Sequence, residues 1–247
     1  MAILVSDSER VRIVRINRPD KRNALTLPMY EAMAQALEEA NAREDVRCVL
    51  IAGHASGFSA GSDIGDFATR AESGGLAAPI IRFLHALARC EKPLVAAVAG
   101  RAVGVGTTLL LHCDYVVAAD DARLTTPFVS LALTPEAGSS LLAPRLLGHA
   151  RAFELLVMGH PLDAAAAKDA GLVNAVVPAA ELEETALDAA RKIAALPPLA
   201  VKAARALMRP SPEEIVARID QEAEVFRARL TSAEAKAAFA AFLNRKK

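Results

Sequence analysis

The first half of the chain alternates between apolar runs and segments in which apolar residues recur at helical spacing. Residues 11–16 partly alternate between apolar and polar and predict a strand. Residues 46–53 and 114–119 predict buried strands, and residues 93–99 are a continuous apolar run, which is typical of a strand covered on both faces of a sheet. Helical spacing predicts helices at residues 28–43, 80–87 and 107–112.

From about residue 137 the pattern changes. Apart from a short β-like segment at residues 173–177, the remainder is rich in alanine and predicts helices. Strand and helix alternation followed by a helical third predicts an α/β fold with helices on the outside. We therefore predict an α/β core over residues 1–195 and a C-terminal helical region over residues 196–247.

Composition and charge exclude several classes of protein. The 247 residues include 29 Lys and Arg against 29 Asp and Glu, so no basic surface for a nucleic acid is expected. Cys48, Cys90 and Cys113 have no CxxC spacing and no two histidines have ligand spacing, which argues against a metal site or a disulfide framework. The longest apolar stretches are too short to cross a membrane. With neither a signal peptide nor a terminal Ser-Lys-Leu, a cytoplasmic location is expected.

Three loops that follow predicted buried strands could carry chemistry, because α/β folds usually place their sites there. The first contains Gly57-Phe58-Ser59-Ala60-Gly61, a match to the G-x-S-x-G turn of serine hydrolases. Ser59 could therefore be a nucleophile, although several loop residues separate it from the strand. The alternative is a tight turn of small residues, with Asp63 capping the next helix.

The second and third loops each begin a helix. Gly104 and Gly106 lack the third glycine of a dinucleotide fingerprint, since position 109 is Leu109. They could bring main-chain N–H groups close to a negatively charged ligand, or only allow close packing against a strand. In the third loop, Glu136 follows Pro135, where it could be a catalytic acid or a carboxylate that stabilises the helix start.

Taken together and in order, these segments resemble the crotonase (enoyl-CoA hydratase/isomerase) superfamily. The resemblance extends from about residue 11 to residue 246. It rests on Asn17-Arg18-Pro19-Asp20-Lys21-Arg22-Asn23-Ala24-Leu25, Phe58-Ser59-Ala60-Gly61-Ser62-Asp63-Ile64, Ala102-Val103-Gly104-Val105-Gly106, Cys113-Asp114, the Pro127 loop, Leu146-Leu147-Gly148 and Ala170-Gly171-Leu172-Val173.

The resemblance implies a spiral of strand–strand–helix repeats, a C-terminal helical region that forms trimers or dimers of trimers, and an acyl-CoA thioester as substrate. It also implies that the thioester oxygen lies between the N–H groups of Ser62 and Val105. Such preorganised donors stabilise an enolate. The other substrate-contacting positions it implies are Lys21, Arg22, Ala24, Leu25, Ala60, Asp63, Ile64, Val103, Thr108, Pro127 and Phe128. Lys21 and Arg22 would face phosphates or, equally well, be solvated loop charges.

The sequence also departs from the hydratases of this superfamily. Where hydratases have two glutamates, this chain has Thr108 and Phe128, and neither can act as a general base. Glu136 instead occupies the position of the single acid of delta3,delta2-enoyl-CoA isomerases. An apolar neighbour such as Phe128 would raise its pKa. We expect an isomerase that needs no metal and no cofactor beyond the coenzyme A of its substrate. The alternatives are a hydratase, another reaction on a CoA thioester, or an acyl-CoA-binding protein without activity.

Overall fold

The described part of the chain contains two β-sheets, one of six strands and one of three. The structure, a computed structural model, describes residues 2–54, 57–63 and 76–244. In the described residues the strands are β1 (Ile3–Ser8), β2 (Val11–Ile16), β3 (Cys48–Ala52), β4 (Leu94–Val98), β5 (Arg101–Val103), β6 (Tyr115–Ala119), β7 (Arg123–Thr125), β8 (Leu162–Asp163) and β9 (Ala175–Val177). The larger sheet has the order β1-β2-β3-β4-β6-β9, and the smaller has the order β5-β7-β8.

The larger sheet is parallel except at one edge. β1 pairs antiparallel with β2, and each later pair runs parallel, so the chain must cross over between neighbours. In the smaller sheet β5 and β7 are parallel, and β8 is antiparallel to β7. Because β5 follows β4 almost at once, and β7 follows β6, the two sheets form successive turns of one spiral.

Helices cover both faces of the larger sheet and make up most of the C-terminal region. Their bounds are α1 (Leu27–Ala42), α2 (Ala78–Ala88), α3 (Val105–Thr108), α4 (Ser139–Leu147), α5 (His149–Leu156), α6 (Ala164–Asp169), α7 (Leu182–Ala195), α8 (Pro198–Met208), α9 (Pro212–Leu230) and α10 (Ala233–Asn244). On one face a large core includes side chains of α1 and α2. On the other face α7 contributes Leu182, Ala186, Ala190 and Ala194 to a second, smaller core. Burial of apolar surface in these two layers supplies the main stabilisation of the fold.

The predicted buried strands and amphipathic helices are confirmed with small shifts of their ends. β3, β4 and β6 lie within three of the predicted strands, and every residue of β3 and β4 is buried. The helix predicted at residues 107–112 begins earlier, at Val105, and continues as a 3-10 helix over Leu109–His112. That shift matters because it makes Val105 the first residue of the helix.

Four strands were not predicted. β1 is an edge strand whose residues are all exposed except Ile3, so it has no apolar alternation. β5, β7 and β8 have three residues or fewer, which is too short for a periodic pattern. Among the described residues, no helix is both long enough and apolar enough for a membrane span.

Candidate active site

The loop between β2 and α1 is joined to the next loop by the buried side chain of Asn23. Its amide nitrogen donates to the carbonyl oxygens of Gly57 (2.8 Å) and Phe58 (3.2 Å), and its Oδ1 accepts from the Arg18 N–H at 2.7 Å. Arg18 in turn forms an ion pair with Asp63 at 2.6 Å. One asparagine therefore fixes the distance between two segments far apart in the sequence.

Ser59 is a structural residue of this loop. Its side chain is fully buried, and its hydroxyl donates to the Asn23 carbonyl at 2.9 Å while accepting from the Gly61 N–H at 3.1 Å. A nucleophile needs an accessible oxygen and a base to deprotonate it. The hypothesis of a serine hydrolase using Ser59 is therefore not supported. The segment is not the expected tight turn either, because Ser59 forms a parallel bridge with Ala102 of β5.

Ser62 is held so that its main-chain N–H faces away from the neighbouring loop. Leu25 donates its N–H to the Gly61 carbonyl at 2.8 Å, and the Leu25 carbonyl accepts from the N–H of Asp63 at 2.9 Å. In this parallel bridge the N–H of Ser62 points to the other side, and it has no main-chain partner among the described residues. The Ser62 hydroxyl is fixed by the Tyr30 hydroxyl at 2.6 Å.

Val105 supplies a second N–H of the same kind. Gly104, with φ +56°, turns the chain from β5 into α3, and its carbonyl accepts the N–H groups of Thr107 and Thr108. Val105 is the first residue of α3, so its own N–H has no partner within the helix. Ser62 and Val105 both line one cavity.

Glu136 lies in the wall of that cavity with 7% of its surface exposed. The Thr108 hydroxyl donates to its Oε1 at 2.6 Å. Burial raises the pKa of Glu136 to about 8; the Thr108 hydrogen bond opposes that rise, and the nearby Glu222 carboxylate adds to it. A carboxyl group that titrates close to neutral pH can both accept and return a proton.

The cavity measures about 790 Å³ and is lined by both charged and apolar residues. The charged side chains Asp20, Lys21, Arg22 and Arg101 contribute to its lining, and all four are exposed. Apolar side chains from several elements form the rest of the wall: Leu76, Ile80, Phe128, Leu131, Leu133, Phe226 and Phe239. A ligand with an anionic part and an apolar part matches this division.

The structure brings most of the predicted site residues together. Lining the cavity are Glu136, Ser62, Val105, Lys21, Arg22, Ala24, Ala60, Asp63, Val103, Pro127 and Phe128. Leu25 and Thr108 were expected to contact substrate, but they are buried behind the wall, where Leu25 holds Gly61 and Thr108 holds Glu136. Ile64 lies outside the described residues.

Several site residues were missed from the sequence. Arg101 lies directly before the motif at residues 102–106. Its position after Gly100, at the end of a predicted strand, could have identified it as a site residue. Phe226 and Phe239 come from α9 and α10, and periodicity alone marks them as core residues. Tyr30 and Glu222 act through contacts between distant segments, for which the sequence offers no local signal.

A buried carboxyl group and unpaired main-chain N–H groups in the wall of one cavity are typical of enzymes that move a proton next to a carbonyl. The enoyl-CoA hydratase/isomerase family model matches residues 6–247. The chain belongs to this family, the crotonase superfamily, and has the crotonase fold.

Individual relatives differ in their described reactions. A probable enoyl-CoA hydratase of Rhizobium meliloti (strain 1021) is 32% identical over 246 residues, which covers 99% of this chain and 96% of that protein. Enoyl-CoA delta isomerase 2 of Rattus norvegicus is 34% identical over 250 residues, covering 99% of this chain but 64% of that protein. The solved enoyl-CoA hydratase/isomerase of Pseudoalteromonas atlantica T6c superposes with a TM-score of 0.93 at 41% identity, over 99% of this chain and 98% of the other.

We expect replacement of Thr108 by valine to move the pH dependence of activity. Valine has nearly the same shape but cannot donate to the Glu136 carboxylate, so the ionised form loses a stabilising hydrogen bond and the pKa rises. The rising limb of kcat/KM should shift to higher pH than in the wild type. Steady-state rates across pH 5–10 measure this shift. An unchanged profile would mean that Thr108 does not act on the ionisation of Glu136.

Proposed function

We propose that the protein is an enoyl-CoA isomerase that shifts the double bond of a 3-enoyl-CoA to the 2-position. The observation that supports this most directly is Glu136, the one buried carboxyl group among the described residues that line the cavity, which Ser62 and Val105 also line. A double-bond shift needs one group that takes a proton and returns it elsewhere, together with donors for the charge on the thioester oxygen.

The proposed reaction has two proton transfers. Ionised Glu136 removes a proton from C2 of the substrate, and the electron pair spreads over the dienolate to the thioester oxygen. The N–H groups of Ser62 and Val105 stabilise that oxygen. The protonated acid then delivers the same proton to C4, which leaves the double bond between C2 and C3. No cofactor is consumed.

Hydration of a 2-enoyl-CoA is the second candidate, since a hydratase name is attached to a relative at 32% identity. Adding water requires groups that orient and deprotonate it. Here the Thr108 hydroxyl is occupied by Glu136, and Phe128 presents an apolar ring to the cavity. We therefore favour isomerisation.

A paired assay on the purified protein tests this choice. One substrate is a 3-enoyl-CoA and the other a 2-enoyl-CoA of equal chain length, and each product is separated and quantified. We expect conversion of the 3-enoyl substrate and little hydration of the other. Efficient hydration of the 2-enoyl substrate would contradict the proposal.

We expect Arg101→Ala to raise KM for acyl-CoA without lowering kcat. Its side chain is exposed at the cavity with Lys21 and Arg22, where the phosphates of coenzyme A would lie. An exposed charge contact contributes roughly 0.5–1 kcal/mol, so KM should rise about twofold to fivefold. Arg123→Ala is the matched control, because Arg123 pairs with Arg101 across β5 and β7 but does not line the cavity. Equal effects of the two substitutions would contradict this role.

We propose a homotrimer or a dimer of trimers, located in the cytoplasm, with no nucleic acid or membrane partner. Exposed apolar side chains on α8 support self-association, since Leu199, Leu207 and Met208 are each at least 80% exposed. Sedimentation equilibrium gives the mass of the assembly, and a monomer at micromolar concentration would contradict the proposal.

A further inference from the structure

The segment that positions Glu136 has an unusual main-chain conformation. Ala137 and Gly138, which follow it directly, both have positive φ, at +65° and +69°. The left-handed region is unfavourable for alanine, so such a turn persists only where its surroundings hold it. The orientation of the Glu136 carboxyl group therefore depends on what holds residues 137 and 138.

Two buried side chains from distant parts of the chain bind this turn. His112, at the end of the 3-10 helix, donates from Nε2 to the Ala137 carbonyl at 2.7 Å. Burial lowers the pKa of His112 to about 4, so the ring is neutral at physiological pH and donates through one nitrogen. The other contact comes from Glu222 on α9.

Glu222 holds the turn with both of its oxygens. Its Oε2 accepts from the Gly138 N–H at 2.6 Å and its Oε1 from the Ser140 N–H at 2.9 Å. These N–H groups lie at the start of α4, where the helix itself offers them no acceptor. Only 7% of Glu222 is exposed, and the residue lies outside the cavity lining, so it does not touch a ligand there.

We propose that Glu222 is a positioning residue for Glu136: by binding the N–H groups of Gly138 and Ser140, it fixes the turn that aims the carboxyl group into the cavity. The inference rests on the proposed function of Glu136 as acid and base. Through Glu222, the C-terminal helical region would therefore orient the Glu136 carboxyl group in addition to packing against the core.

Several titratable or polar groups face Glu136 and Glu222 and therefore affect the pKa values of these two residues. Tyr30 on α1 and Thr108 on α3 face Glu136, and Arg218 on α9 is near the Glu222 carboxylate and donates to the Ser140 hydroxyl at 3.2 Å. Among the described residues of α10, only the apolar Phe239 lines the cavity. Burial is the main cause of the raised pKa of Glu136, and the Glu222 charge adds to it, so removal of that charge should lower the pKa.

Glu222→Gln tests the inference in the full-length protein. A glutamine has one acceptor oxygen, and its amide group would meet the second N–H as another donor. We expect kcat for the 3-enoyl-CoA to fall about 10- to 100-fold, because a small misplacement of a reacting group is costly. KM should stay within about twofold, since the other residues that line the cavity are unchanged.

Glu224→Gln is the matched control. It removes the same charge from the exposed face of the same helix, and its rate should stay within about twofold of the wild type. Glu222→Asp keeps the charge but is shorter by one methylene, so it cannot hold both N–H groups equally well. Its kcat should fall less than that of Glu222→Gln, and it serves as the test if Glu222→Gln does not fold.

A direct titration separates this inference from the proposed function. Glutamate labelled with ¹³C at the carboxyl carbon reports the pKa of Glu136 by NMR, and the signal is assigned by its absence in Glu136→Gln. We expect a lower pKa in Glu222→Gln than in the wild type. If the wild type does not isomerise a 3-enoyl-CoA, the proposed function fails, and this titration still shows whether Glu222 acts on the Glu136 carboxyl group. Wild-type kcat in folded Glu222→Gln would overturn the inference whatever the titration shows, because loss of the charge alone lowers the pKa. A lower kcat, a higher KM and a lower Tm together with an unchanged titration would also overturn it, because they would indicate general destabilisation.

Discussion

Glu136→Gln should abolish isomerisation while leaving the cavity intact. Glutamine has the same size and can still accept the Thr108 hydrogen bond, but it cannot take up and return a proton. General acid–base groups typically contribute about 10²- to 10⁴-fold to a rate, so a loss of kcat in that range is expected. Isothermal titration with a saturated acyl-CoA should show nearly unchanged affinity, because the ligand contacts remain.

The same substitution should increase stability at alkaline pH. The pKa of Glu136 is raised from 4.5 to about 8, so between these values the folded protein binds more protons than the unfolded chain. The free energy of unfolding therefore decreases as the pH rises through this window. Glutamine does not ionise, and the variant should be more stable than the wild type above pH 8, by on the order of a few kcal/mol.

Thermal unfolding at pH 5 and pH 9 measures this difference. The gain in Tm of Glu136→Gln over the wild type should be small at pH 5 and larger at pH 9. The exposed Glu224→Gln should show neither the gain nor the loss of activity. Retention of isomerisation by Glu136→Gln would identify another group as the acid, and a gain in Tm that is independent of pH would contradict the raised pKa.

Gly61→Ala should also cause a large loss of activity, through the main chain and not through a side chain. Gly61 has φ +83°, and a Cβ at this position would lie 2.7 Å from the Val103 carbonyl oxygen. The added Cβ would be on the residue directly before Ser62, and the carbonyl oxygen belongs to a residue two positions before Val105. The clash therefore lies between the two segments that carry the proposed N–H donors. Relief of the clash must displace one donor, and losing one typically costs about 10²- to 10³-fold in kcat.

Gly171→Ala is a closely matched control. Gly171 also has φ +83°, but in the described part of the chain no atom lies within 4 Å of the place that a Cβ would occupy, and the residue is not in the cavity lining. Alanine there should cost roughly 1–2 kcal/mol of stability from backbone strain alone and leave kcat unchanged. Steady-state kinetics and thermal unfolding of both variants separate strain from displacement. Equal kcat values in the two variants would show that the position of the Ser62 N–H does not limit the reaction.

Much of the fold could be predicted because its signals are local. The apolar runs of β3, β4 and β6 and the helical spacing of α1 and α2 report burial directly, residue by residue. β1 and the smaller sheet could not be predicted in this way, because an exposed edge strand and strands of two or three residues leave no periodic pattern.

The candidate site was predictable only in part. Glycine-rich loops and Glu136 could be chosen from motif and resemblance, because their chemistry is visible in the residue types. The assignment of Thr108 and Leu25 to substrate contact was not supported, since motif position does not distinguish a residue in the cavity wall from one behind it. The same limitation applies to Ser59, whose match to a hydrolase motif disregards its burial.

The sequence by itself determined the α/β class, the order of the main elements, the family and the acid that lies at the site. The tertiary structure decided how that acid behaves. Burial and the Glu222 charge raise the pKa of Glu136 to about 8. Thr108 donates a hydrogen bond to the Glu136 carboxyl group, and His112 and Glu222 form hydrogen bonds with the turn that follows it. These groups are distant from Glu136 along the chain, and pKa and orientation depend on distance in space, which the fold alone sets.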